Sequence, residues 1–259
     1  MSEIPMEYKV MKKKFSKKLQ DQVGDNLVGI VVYGGASSER VFSGVSDIDY
    51  FIILKSLDKL SKSLADVYNE LSEGFNEFLD NPLFAALLDY DIYTEDQLPI
   101  KGNLNGFSPI RALALKHGEL LYGVNPFKDI ELSKDELISG ARRMIQDYLE
   151  KLTSSLFMSE FEAETPEEEE ANQQSIEAEK IFLAIDTILS SAQVYFMIQE
   201  NKYVNMPDVV LYAETKPIDG VDNELLRTAG LLRQGVETEI KDLFNRAINY
   251  AASILKLLN

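Results

Sequence analysis

The chain has 259 residues, room for about two domains and a sizeable core. Its 26 basic and 43 acidic residues give a net charge of -17. That balance argues against a binder of bulk nucleic acid, which needs a basic surface to displace counterions. The absence of cysteine excludes disulfides, zinc ribbons and thiol catalysis.

The first stretch, MSEIPMEYKVMKKKFSKKL, has lysines but no long apolar run behind them. Neither a signal peptide nor a membrane helix is expected, there or elsewhere, and the expected location is the cytoplasm. Over residues 8–23, Val10, Met11, Phe15, Leu19 and Val23 recur at helical spacing, with the lysines forming a solvated face or an anion patch. Gly24, Asp25 and Asn26 break this helix. Residues 27–33, LVGIVVY, read as a buried strand that Gly34-Gly35 stops. Residues 36–42 are predicted as a short helix, Ser43-Gly44 as a turn and 46–54 as a second strand. A helix is predicted over 58–79, where Leu60, Leu64, Val67, Tyr68, Leu71, Phe75 and Phe78 recur, ending at Asn81-Pro82. Residues 85–93 form a third strand candidate containing Asp89 and Asp91. A helical pattern follows over 109–122 and ends at Gly123. Asn125-Pro126 is the best linker candidate, which sets the expected domains at 1–128 and 129–259.

Beyond Leu132 the pattern turns helical throughout. Ser133 and Glu136 form a capping-box pattern before a run through Leu137, Ala141, Ile145, Leu149 and Leu152. The acidic stretch SEFEAETPEEEEANQQ interrupts it. Thr165-Pro166 suits an N-cap followed by proline, and the glutamates suit a helix start, where the dipole favours negative charge. A metal site is the weaker reading of that run. One more helix is expected through Ile181, Ile188 and Phe196, and another from about Asp222 to Leu258, which together make a bundle.

The residues that carry chemistry lie in VYGGASSERVFSGVSDIDYFIIL, residues 32–54. Asp47 and Asp49 are two apart on a predicted strand, so they project from one face. Two carboxylates that close repel each other until a proton or a cation relieves them. Mg²⁺, or Mn²⁺ in its place, takes oxygen ligands and commonly joins one or two carboxylates to substrate phosphates. A Gly-Gly turn lets backbone N–H groups approach a phosphate closely. Gly34 and Gly35 therefore form a candidate phosphate cradle, with Ser37, Ser38 and Arg40 in reach of phosphate oxygens. No Gly-Lys-Ser/Thr follows, so this is not a Walker A loop. A third carboxylate should come from a neighbouring strand, as Asp89 or Asp91. Three acids could hold two metal ions, or the third could take the proton of an incoming hydroxyl.

Gly34, Gly35, Asp47, Ile48, Asp49 and Tyr50 together resemble the signature of the nucleotidyltransferase superfamily, the DNA polymerase β-like fold. LLDYDIYTEDQL resembles the strand that carries that family's third acid, with Asp89 preferred and Asp91 second. HGELLYGVNPF is similar to a helix end of minimal nucleotidyltransferase domains. The later helices resemble, in pattern, the helical domain of aminoglycoside nucleotidyltransferases. The resemblance implies an α/β fold, a mixed sheet with flanking helices, followed by an all-α bundle that shapes the acceptor site. It implies Asp47, Asp49 and Asp89 as metal ligands and transfer of a nucleoside monophosphate from a nucleoside triphosphate, ATP foremost, to a hydroxyl. The acceptor, a small molecule or a protein, stays open. The alternative is a weak or inactive nucleotide-binding or partner-binding protein of the antitoxin-like type. Many relatives carry Ser where this chain has Gly35, and Ser37 or Ser38 is the candidate substitute. His117, the single histidine, reads as a structural or exposed residue near a helix end rather than a general base, and Tyr50 as core, on the face opposite Asp49.

Overall fold

The computed structural model describes residues 6–37, 41, 47–57, 88–100, 103–155, 165–236, 238 and 240–259. The expected helix over 58–79, most of the 36–42 segment, and Ser38 and Arg40 lie outside them. The chain divides into two compact units, Met1–Ser133 and Lys134–Asn259.

The described elements of the first unit are α1 (Met6–Val23), β1 (Leu27–Tyr33), β2 (Ile48–Leu54), β3 (Leu88–Thr94), α2 (Pro109–Lys116) and β4 (Glu119–Gly123). The strands form one sheet in the order β3-β2-β1-β4. β1 runs antiparallel to β2 and β4, while β2 and β3 are parallel, so the sheet is mixed. Alternation along the strands sorts the side chains onto two faces. On one face, Tyr8, Met11, Phe15 and Leu19 of α1 pack on Ile30, Val32, Tyr50 and Ile52. Phe15 stacks on Tyr50 with ring centroids 3.9 Å apart. Val10, expected on this buried face, is exposed. The lysines of α1 at 9, 13, 14 and 17 are exposed, but Lys12 is buried. On the other face, Phe51 lies 5.3 Å from Phe127 and 5.8 Å from Phe107, above Ala112 and Leu115 of α2. Each buried aromatic contributes about 1.5–3 kcal/mol by leaving water.

The predicted helix over 109–122 is corrected by the structure. Ser108 caps α2, its hydroxyl accepting from the Arg111 N–H at 3.1 Å, but the helix stops at Lys116. His117, which is exposed, is its C-cap. After Gly118 the chain becomes β4 and covers the edge of β1. An open edge of unpaired N–H and C=O groups draws in a strand, and this outweighs the helical spacing of the leucines. β4 ends at Gly123, whose φ is +68° and whose missing Cβ would collide with the Val28 carbonyl. Gly123→Ala should therefore destabilise the protein by roughly 2 kcal/mol or more, read from denaturant unfolding at unchanged slope.

The second unit holds α3 (Lys134–Ser155), α4 (Pro166–Glu200), α5 (Met206–Thr215), α6 (Asn223–Arg233) and α7 (Leu243–Leu257). Ser133 and Thr165 immediately precede α3 and α4. The other four helices all contact α4, which buries Ala184, Ile188, Leu189, Ala192 and Phe196. Its segment Ile176–Glu200 is long and apolar enough to cross a membrane, which the sequence reading passed over, but 72% of that window is buried in the protein. α5 was not foreseen; the Asn205 side chain caps it, accepting from the Asp208 N–H at 2.8 Å. The single helix expected from Asp222 to Leu258 is two, because the chain turns at Gln234-Gly235.

Candidate functional site

The site builds from the rung where three strands meet. Register pairs Tyr33 of β1 with Asp49 of β2, and Asp49 with Asp89 of β3. Paired residues occupy one face, so positions 33, 49 and 89 form a row on the α2 side of the sheet, with neighbours about 4.8 Å apart. Asp47 lies just before β2, exposed, and Asp49 is half-buried. Asp91 is level with Phe51, one step deeper along the same face and about 6–7 Å from position 89.

The Gly-Gly turn closes over this row. Gly34 has φ +69°, and a Cβ added to it would overlap the Asp49 carboxylate. The turn and the aspartate are thus in direct contact, which only a glycine permits. Gly34→Ala should cost about 1–2 kcal/mol in unfolding free energy for the left-handed backbone alone. It should also push the Asp49 carboxylate aside. The segment Gly35–Ser37 makes one 3₁₀ turn. The Ser37 hydroxyl donates to the Gly34 carbonyl at 2.8 Å, so its proton is engaged within the turn.

Asp91 sits in a different environment. Its carboxylate accepts from the Tyr33 hydroxyl at 2.8 Å and from the Arg111 guanidinium, with which it forms an ion pair. Arg111 also donates to the Tyr93 hydroxyl at 3.3 Å and lies 5.6–5.8 Å from the ring centroids of Tyr33, Phe51, Tyr93 and Phe107. Burial pushes the Tyr33 phenol well above its ordinary pKa; the Arg111 charge opposes this, while the Asp91 hydrogen bond and the charges of Asp49 and Asp91 add to it. Tyr33 therefore stays protonated and acts as a donor, not a base.

With this geometry in place, the whole chain can be compared with solved structures. Spectinomycin adenyltransferase AAD(9) from Enterococcus faecialis, solved with ATP and spectinomycin, aligns over 97% of this chain and 99% of its own, with 14% identity and a TM-score of 0.60. The chain has the nucleotidyltransferase fold. A nucleotidyltransferase-like protein from Exiguobacterium sibiricum 255-15 aligns over 96% of this chain and 74% of its own, with 10% identity and a TM-score of 0.30. No family model and no curated protein matches the sequence.

Within the nucleotidyltransferase fold, Gly34 meets the Asp49 carboxylate, the backbone of Asp89 lies on the rung of Asp49, and Asp47 lies exposed just before β2. Asp91 is drawn away towards Arg111. Among the described residues, no three acidic or histidine side chains gather as a ready metal cluster. The donor set nevertheless suits Mg²⁺, which takes one or two carboxylates and completes its shell with waters and substrate phosphates. Tyr33 and Arg111 were missed at the level of sequence. Strand alternation from Asp49 through its partner could have flagged Tyr33. Arg111 lies inside the apolar helix PIRALALK, where nothing marks it.

Proposed function

We propose that the chain is a magnesium-dependent nucleotidyltransferase that moves a nucleoside monophosphate from a nucleoside triphosphate, ATP foremost, to a hydroxyl. The observation that carries this reading is the contact between Gly34 and the Asp49 carboxylate, with position 89 on the same rung. The Gly34-Gly35 turn would hold phosphate oxygens through backbone N–H groups. Asp47, Asp49 and Asp89 would hold the metal, which when bound neutralises phosphate charge and orients the triphosphate. Asp89 would accept the proton as the acceptor oxygen bonds to the α-phosphorus and the bond to the bridging oxygen breaks, releasing pyrophosphate. The full-length likeness to a spectinomycin adenyltransferase favours a small-molecule acceptor. The net charge of -17 favours a cationic one, drawn in by the field of the whole protein.

Pyrophosphate release tests this, with each nucleoside triphosphate and Mg²⁺ or Mn²⁺ against a panel of hydroxyl acceptors that includes spectinomycin. Metal-dependent release with one acceptor class is the expected result. The engaged Ser37 hydroxyl favours a second reading, in which nucleotide binding is weak and the protein serves as a binder. Silence across the panel, with ATP still bound, would select that reading.

A further inference from the structure

Lys12 is the one α1 lysine whose burial is at odds with its charge: the residue is 6% exposed. Its ammonium donates to the Ala36 carbonyl at 2.9 Å and forms an ion pair with Glu119. Ala36 is the fully buried centre of the Gly35–Ser37 turn. Glu119 opens β4 and shares a rung with Val32 and Tyr50 on the α1 face of the sheet. The Tyr50 hydroxyl is buried within reach of its charge and has no hydrogen-bond partner among the described residues. Three separate elements, α1, β4 and the turn, therefore meet at one ammonium group.

Burying a lysine ammonium is a poor way to gain stability, because its desolvation offsets most of the attraction to a Glu119 carboxylate whose side chain is 41% exposed. A hydrophobic residue at position 12 would suit the apolar cluster of Tyr8, Met11 and Phe15 better. What an ammonium does and a methyl group cannot is hold a carbonyl in a fixed direction. The peptide is planar, so fixing the Ala36 carbonyl also fixes the N–H of Ser37 on its far side, which closes the turn by donating to the Gly34 carbonyl at 3.4 Å. Lys12 lies on the face of the sheet opposite Asp49 and Asp91.

We propose that Lys12 is a positioning residue for the phosphate-binding turn: anchored by Glu119, it holds the Ala36 carbonyl and so sets the backbone that Gly34–Ser37 presents to a triphosphate. This rests on the reading of that turn as a phosphate cradle. The same geometry predicts that the anchor acts on triphosphate binding rather than on the acceptor.

Three variants of the full chain test it: Lys12→Met, Glu119→Gln and the double variant. Two readouts are used, calorimetric affinity for ATP with Mg²⁺ and amide exchange of residues 35–37. Lys12→Met should weaken ATP binding roughly tenfold or more, the scale of a lost charged hydrogen bond, and should speed exchange in the turn. It also leaves Glu119 without its partner, which lowers the melting temperature. The double variant removes that orphan charge, so it should regain the melting temperature while exchange stays fast and ATP binding stays weak. Full recovery of both in the double variant would reduce Lys12 to a neutraliser of Glu119 and overturn the proposal. Unchanged exchange at 35–37 in every variant would overturn it as well. If Lys12→Met does not fold, the double variant alone gives the same decision. If the wild type binds no ATP, the proposed function fails, and amide exchange still decides whether Lys12 holds the turn.

Discussion

Asp49→Asn should lower pyrophosphate release by on the order of a thousandfold or more, because metal stabilisation of transferring charge is worth several kcal/mol. Asp49 is in contact with the turn, and it pairs across β1 with Tyr33 and across β3 with Asp89. Asparagine keeps the shape and removes the charge, so the fold should survive. Calorimetry should show ATP affinity that no longer responds to Mg²⁺. Stability should change little, since the half-buried Asp49 keeps its shape as asparagine. Equal, metal-dependent ATP affinity in variant and wild type would remove Asp49 from the site.

The reason this residue was legible from the sequence is local. β1 is a seven-residue apolar run with glycines at its end, and its bounds in the structure are those of the run. β2 starts at Ile48, directly between the two aspartates, so strand alternation places Asp49 on the face of Phe51, while Asp47 lies just before the strand. Tyr50 goes to the other face for the same reason and stacks on Phe15. Some of the failures are non-local. β4 has leucines that fit a helix, and only the open edge of β1, far away in sequence, makes them a strand. The break between α6 and α7 falls inside a pattern whose apolar spacing continues across it. Lys12 looks like its neighbours in KKKFSKK, and its burial follows from Glu119 more than a hundred residues later, at a sequence separation of 107. The Asp91–Arg111 pair joins a strand to a helix, so pattern along either one cannot show it.

That pair decides the second large effect. Asp89 and Asp91 are equivalent by alternation, since both occupy the α2 face of β3. Their neighbours separate them. Position 89 stands beside Asp49, where a reacting hydroxyl and a metal would meet. The Asp91 carboxylate already accepts from Tyr33 and Arg111, and using it as a base would leave a partly buried guanidinium without its counter-charge. Asp89→Asn should therefore reduce turnover by about a hundredfold or more, the range for losing a general base. Asp91→Asn should reduce it far less, while lowering stability by up to about 1 kcal/mol, since the pair is about one-third exposed and screened by water. Its amide oxygen can still accept from Tyr33, which keeps that phenol in place beside Asp49. Parallel measurements of turnover and thermal unfolding on the two variants separate these roles. A large loss of turnover in Asp91→Asn with Asp89→Asn near wild type would reverse the assignment. Intact turnover in both would end the three-carboxylate mechanism for this chain and leave Asp47 and Asp49 as the whole of its acidic machinery.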